Sequence, residues 1–285
     1  MDGFSDGYWW SADSVRLHFR DYAGAAGRPA ILCLPGLTRN VRDFHDLALR
    51  LQGRGWRVVS VSLRGRGESG YAKDPLTYVP LTYVQDIGRL LATVPLDRVV
   101  VVGTSLGGLL AMLLGVTQRA RLAGVVLNDV GPQLEAAGLE RIRAQVGRGN
   151  GWPTWLHAAR DIAERQAGVY PDWQLPDWLA HAKRLCRLSP KGRIVWDYDP
   201  RISAPFRLPG GDSGVDLALA LRGLQGLPLL SLRGELSDVF AAAAQAAMVR
   251  DVAGLEAVTV PRVGHAPTLA EPEALAAIDR LLARV

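Results

Sequence analysis

Val99-Val100-Val101-Val102-Gly103-Thr104-Ser105-Leu106-Gly107-Gly108-Leu109-Leu110 is the stretch that decides the fold. Four consecutive β-branched residues read as a strand buried on both faces. The run Leu109-Leu110-Ala111-Met112-Leu113-Leu114 consists of good helix formers. Between them stands Gly103-x-Ser105-x-Gly107. A serine on a tight strand-to-helix turn takes a strained backbone and lifts its hydroxyl above the sheet edge. Side chains at the two flanking positions would collide with the turn, so both want glycine. The helix that starts there aims N–H groups and the positive end of its dipole at the same spot. An oxyanion formed at Ser105 would therefore meet the N–H of Leu106. A plain glycine-rich turn could carry the same pentapeptide; the strand before it and the helix after it separate the two readings.

Toward the N-terminus, residues 8–22 read as a β-hairpin, with Val15, Leu17 and Phe19 facing inward and Arg16, His18 and Arg20 on a solvated face. Ala30–Leu34 is a buried strand ending in Pro35-Gly36-Leu37-Thr38-Arg39-Asn40. An amphipathic helix with Phe44, Leu47, Ala48 and Leu51 follows, and then a strand over 56–63. The next loop holds Gly65-x-Gly67-x-x-Gly70, the spacing of a dinucleotide-binding turn. That turn needs a helix at once to hold the pyrophosphate. Here Tyr71-Ala72-Lys73-Asp74-Pro75 continues the loop, and Asp86, at the distance of a ribose-binding acid, falls inside a helix over 81–94. No cofactor is expected. Strands over 97–102 and 122–127 flank the serine helix, and the second ends in Asn128-Asp129. Strands alternating with helices imply parallel βαβ units in a doubly wound sheet.

The alternation stops between 132 and 222. That stretch is helical or irregular and rich in aromatics: Trp152, Trp155, Tyr170, Trp173, Trp178, Trp196, Tyr198 and Phe206. It reads as an insertion covering the strand ends, with Trp152, Trp155, Trp173 and Trp178 as candidates for an apolar pocket lining. Packing the insertion's own small core is the plainer role for any single tryptophan. The sheet resumes over 227–234, followed by Asp238, a helix over 239–252, a strand over 255–260, Gly264-His265-Ala266-Pro267, and a closing helix over 273–284.

A serine hydroxyl is a poor nucleophile near neutral pH and needs a base, and the base needs an acid to hold its tautomer. Of the five histidines, His265 alone follows a core strand in a loop. His18 and His45 fall on an edge strand and a surface helix, and His157 and His181 lie in the insertion. His265 is the expected base. Asp238 is preferred as the acid because it gives the chain order Ser–Asp–His and its loop has room to present a side chain. Asp129 is the alternative, with capping of the turn as its plainer role. Gly36 allows a sharp turn after the buried strand, which would aim the N–H of Leu37 across the site as a second oxyanion donor.

The whole chain resembles the α/β-hydrolase family, through Gly-Thr-Ser105-Leu-Gly-Gly, Arg64-Gly-Arg-Gly-Glu-Ser, Arg233-Gly-Glu-Leu-Ser-Asp238 and Gly264-His265-Ala-Pro. It is most similar to small capped esterases and lactonases, enol-lactone hydrolases and meta-cleavage carbon–carbon hydrolases. The resemblance implies an eight-stranded, mostly parallel sheet flanked by helices, with a helical cap inserted after the sixth strand. Residues 1–131 and 223–285 would form the core and 132–222 the cap. It also implies attack by Ser105, proton transfer through His265, an acyl-enzyme, and hydrolysis by water, with no metal or cofactor. Pro35-Gly36 replaces the family's usual His-Gly, and Ser62-Leu63 stand where an aspartate usually ends the strand. Haloalkane dehalogenases and epoxide hydrolases are excluded, because they need a carboxylate nucleophile. The expected substrate is a small carboxylic ester or lactone. Carbon–carbon hydrolysis would need a cationic anchor such as Arg39 or Arg201, and a non-catalytic small-molecule receptor is a third reading.

At 285 residues and 48% hydrophobic content the chain can bury a sizeable core. No apolar run approaches the ~20 residues that span a bilayer. The opening Met1-Asp2-Gly3-Phe4-Ser5-Asp6 is acidic and polar, unlike a signal peptide. These features point to a cytoplasmic protein with no membrane partner. Cys33 and Cys186 lack ligand spacing and read as buried free thiols. The net charge of +5 comes from dispersed arginines rather than a basic block, so no nucleic-acid partner is expected. Monomer and homodimer both stay open.

Overall fold

The computed structural model describes residues 3–149, 151–207 and 216–285, with the side chains of 206 and 207 outside that set. Met1, Asp2 and the Phe206 side chain, used above, therefore lie outside the described residues. The N-terminal half runs β1 (Ser5–Trp10), β2 (Arg16–Tyr22), β3 (Ala30–Leu34), α1 (His45–Gln52), β4 (Val58–Ser62), α2 (Pro80–Thr93), β5 (Val99–Thr104), α3 (Leu106–Thr117) and β6 (Leu122–Asn128). The stretch that breaks the alternation holds α4 (Ala136–Gln145), α5 (Trp155–Gln166), α6 (Leu175–Leu185), β7 (Cys186–Leu188), β8 (Ile194–Trp196) and α7 (Leu217–Arg222). The chain closes with β9 (Leu229–Gly234), α8 (Ala242–Asp251), β10 (Leu255–Val260) and α9 (Pro272–Leu282).

Eight strands form one sheet in the order β1-β2-β4-β3-β5-β6-β9-β10. The β1–β2 and β2–β4 pairs are antiparallel, and every pair from β4 to β10 is parallel. Parallel neighbours need crossover connections, and the helices that make them cover both faces. The Val99–Val102 run shows why it had to be apolar throughout. Val99 and Val101 enter the core on one face with α2 and α3, and Val100 and Val102 enter the core on the other with α1 and α9.

Among its described residues, the segment inserted between β6 and β9, the cap, holds α4 to α7 and one small antiparallel hairpin, β7–β8, which Trp152 joins through a bridge to Ile194. Its last helix, α7, turns back onto the main layer: Ala220, Leu221 and Leu224 join the core that contains α3. The Gly65–Gly70 loop is followed only by a short 3-10 turn, and α2 starts at Pro80. Asp86 is spent inside the molecule, accepting two hydrogen bonds from the buried Arg64 guanidinium at 2.7 and 2.8 Å.

His18 corrects the solvated-face reading of β2. It is 1% exposed, and its Nε2 lies 2.7 Å from Asp6 Oδ1 on β1. Alternation marks a half-buried strand only when one face meets water, and here Asp6 of β1 meets the ring nitrogen and the Tyr8 ring lies 5.3 Å from the imidazole. Cys33 and Cys186 are both buried, and burial pushes their thiols upward, that of Cys186 to about 12.

Candidate active site

Parallel strands put all their C-terminal ends on one edge, where side chains from several loops can meet. Ser105 stands one residue past β5, and its backbone sits at φ 53°, ψ −117°. The glycines beside it are sterically required. A Cβ on Gly103 would lie 2.4 Å from the carbonyl oxygen of Gly107, and one on Gly107 would lie 2.0 Å from that of Leu34. Holding a non-glycine residue at such a backbone costs about 1–3 kcal/mol, an expense tolerated where surrounding structure fixes it.

His265 comes from the loop after β10. Its Nε2 is 2.9 Å from Ser105 Oγ, and its Nδ1 is 2.6 Å from Asp129 Oδ2. Register explains the third position. Thr104 pairs with Asn128 across β5 and β6, so the next residue of each strand, Ser105 and Asp129, emerges at the same level. Asp129 is fully buried. Its Oδ1 accepts from the Gly234 N–H at 2.8 Å, and its Oδ2 from the Ser237 hydroxyl at 2.6 Å.

This geometry corrects the preference for Asp238. That carboxylate is 46% exposed and takes two hydrogen bonds from Arg141 of α4, at 2.6 and 2.7 Å. The Arg141 guanidinium holds it below the usual carboxylate range. Asp238 lies four residues beyond the end of β9, on a loop that carries it to the surface. Asp129 lies directly at a strand end beside the nucleophile.

A family model described as alpha/beta hydrolase family matches residues 31–278. The chain belongs to the alpha/beta hydrolases. It is 32% identical over 271 residues to the 3-hydroxybutyrate-oligomer hydrolase of Cupriavidus necator, across 92% of this chain and 90% of that one. It is 28% identical over 246 residues to the 2-(acetamidomethylene)succinate hydrolase of Mesorhizobium japonicum, across 86% and 84%. A crystal structure of an alpha/beta hydrolase from Novosphingobium aromaticivorans superposes with a TM-score of 0.96 at 54% identity, covering 100% of both chains.

In this hydrolase, Ser105 and His265 open onto a cavity of about 190 Å³ beneath the cap. Arg39 lines it, as do Leu37 and the aromatic residues Phe44, Tyr170, Trp196 and Tyr198. Trp152, Trp155, Trp173 and Trp178 are absent from the lining. Trp173 stacks on Tyr170 with ring centroids 3.8 Å apart and meets Trp178 edge-on at 4.9 Å, so this pair packs into the apolar core instead. Trp152 meets the Trp196 ring edge-on, with centroids 4.9 Å apart. Arg201 is also elsewhere, paired with Asp199 and the Ala72 carbonyl.

Six positioning contacts were invisible in the sequence. Asn128 Nδ2 donates to Thr104 Oγ1 at 3.0 Å and to the Pro267 carbonyl at 2.9 Å, tying the nucleophile strand to the histidine loop. The cap holds that loop on both sides of His265: the Gly264 N–H donates to the Val169 carbonyl at 2.7 Å, and the Tyr170 hydroxyl donates to the Ala266 carbonyl at 2.8 Å. Ser237 supports Asp129, as described. Arg66, fully buried, donates through Nε to the Leu37 carbonyl at 2.8 Å and so braces the turn after β3. Their signal is long-range pairing, which no local pattern carries. Among the described residues, no helix is long and apolar enough to cross a membrane.

Proposed function

We propose that this chain is a serine hydrolase of small carboxylic esters or lactones. The observation that carries the reading is the continuous line Ser105 Oγ–His265 Nε2–His265 Nδ1–Asp129, with spacings of 2.9 and 2.6 Å, opening on a cavity. A bond of 2.9 Å lets the imidazole take the hydroxyl proton as Ser105 Oγ attacks the substrate carbonyl. Asp129 holds the Nδ1–H tautomer and stabilises the imidazolium that forms. The carbonyl oxygen, now negative, is received by the N–H groups of Leu106, at the start of α3, and Leu37, in the turn that Arg66 braces. His265 returns the proton to the departing alcohol, leaving an acyl-Ser105 ester. Water, activated by the same imidazole, then releases the acid and restores the serine.

The ester reading is supported by the relative named for 3-hydroxybutyrate oligomers, since a hydroxy acid oligomer is joined by ester bonds. Arg39, the one of the two anchor arginines that reaches the cavity, keeps carbon–carbon hydrolysis as the second reading. Initial rates on p-nitrophenyl acetate and butanoate test the first reading. Turnover by the wild type and its loss in Ser105→Ala, with the thermal transition retained, is the expected result. Absence of turnover on esters and lactones of two to eight acyl carbons (roughly the range a cavity of this size admits) would overturn it.

A further inference from the structure

Resting on the serine-hydrolase reading, we propose that Arg39 and His181 form a subsite for an oxygen acceptor on the acyl chain, a carboxylate or an ester carbonyl a few atoms from the scissile bond. Placement comes first. A Cβ built on Gly36 would lie 3.3 Å from Arg39 Cγ and 3.8 Å from Ser105 Cβ, so both side chains border the turn at Gly36. Both line the cavity, as do His181 and Gln166.

Hydrogen-bond accounting then singles out one nitrogen. Arg39 donates from Nε and Nη2 to the two carboxylate oxygens of Asp43, the latter at 2.8 Å. Among the described residues, Nη1 has His181 Nε2 as its hydrogen-bonding neighbour, at 3.4 Å. That same Nε2 lies 3.2 Å from Gln166 Oε1. One ring nitrogen carries either a proton or a lone pair. With the proton, it serves Gln166 and faces Arg39 with a second donor. With the lone pair, it serves Arg39 and leaves the Gln166 oxygen unmet. His181 is 3% exposed, whereas Arg39 and Gln166 are partly exposed and line the cavity, so whichever of them is unmet faces the space a ligand would enter. Burial, reinforced by Arg39 and Arg184, holds its imidazole well below the usual histidine range, which keeps the ring neutral.

A ligand oxygen resolves the conflict: it accepts from Arg39 Nη1 while His181 donates to Gln166. Asp43 already balances the guanidinium charge, so the ligand need not be anionic. The chemistry recognised is an acceptor oxygen, and its source is either a free carboxylate or the next ester carbonyl of a longer acyl chain.

The test compares kcat/KM for p-nitrophenyl esters of pentanoate, glutarate and monomethyl glutarate, and of butanoate, succinate and monomethyl succinate, each corrected for spontaneous hydrolysis. The expected result is a preference of at least about tenfold for the acid, the methyl ester or both over the plain acyl chain of equal length, as one hydrogen bond to a charged donor supplies. A gain confined to the acids assigns a carboxylate; a gain that includes the methyl esters assigns a carbonyl oxygen. In Arg39→Met, and separately in His181→Phe, the ratio should collapse toward one. Equal rates across each wild-type series overturn the subsite while leaving the serine-hydrolase reading standing. So does a preference that survives Arg39→Met. No turnover of any of the six esters sinks that reading and this subsite with it.

Discussion

Two aspartates reach the same rim of this hydrolase from neighbouring strands, and they differ in what surrounds them. Asp129 is fully buried at the end of β6, with three donors on its two oxygens: a backbone N–H, a serine hydroxyl and the imidazole of His265. Asp238, on the loop after β9, is half exposed and is held by one arginine of the cap. Both satisfy the chain order Ser–Asp–His, so order alone does not separate them. The difference lies in fixed position: a carboxylate that must hold an imidazole in one tautomer has to be held itself, and only the first one is.

The sharpest way to break this comparison is to neutralise each carboxylate in turn. Asp129→Asn should lower kcat on a p-nitrophenyl ester by about 10⁴-fold, the effect of losing the tautomer-holding acid, while Asp238→Asn stays within about threefold of the wild type. A dead Asp238 variant beside a live Asp129 variant would reverse the assignment. Removing a single support should cost less. Ser237→Ala and Tyr170→Phe each delete one hydrogen bond to the triad's frame, worth about 1 kcal/mol, so each should lower kcat by up to about tenfold with KM little changed; Ser237→Ala also leaves the Val239 and Phe240 N–H groups without their acceptor and should cost some stability. A tenfold rise in KM with constant kcat would place Tyr170 in substrate binding instead.

The surface pair itself should matter least. Arg141→Gln should shift unfolding free energy by less than about 1 kcal/mol in urea titrations, because the pair is screened by water. A third carboxylate sharpens the point through pH. The hydrogen bonds from Arg64 to Asp13 depress the Asp13 pKa from 3.8 to about 2. A group whose folded pKa is lowered contributes stability above its unfolded value and loses it as pH falls through the folded one. The thermal midpoint should therefore decline between about pH 4 and pH 2, with a shallower slope in Asp13→Asn. An unchanged slope would detach Asp13 from the fold's acid response.

The parts of this molecule that were legible in sequence are those written locally. The Val99–Val102 run, the paired glycines around Ser105 and the Gly264-His265 turn each carry their own reason for being where they are. Asp129 was visible only as the alternative, since its superiority depends on the Thr104–Asn128 register and on donors from residues 234 and 237. The cap was least legible. Trp173 and Trp178 are as apolar as any pocket lining, yet they pack against Tyr170, and nothing in composition says which ring of a stack faces the cavity. His18 and His181 show the same limit for polar residues: each is buried through partners distant in the chain.

The most direct single measurement is covalent labelling with a fluorophosphonate, read by intact mass and peptide mapping on the wild type, Asp129→Asn and Asp238→Asn. The expected result is one adduct, on Ser105, forming rapidly in the wild type and in Asp238→Asn and far more slowly in Asp129→Asn. An unmodified Ser105 in the wild type, or equal labelling rates in all three proteins, would contradict the arrangement of Ser105, His265 and Asp129 as a working nucleophile.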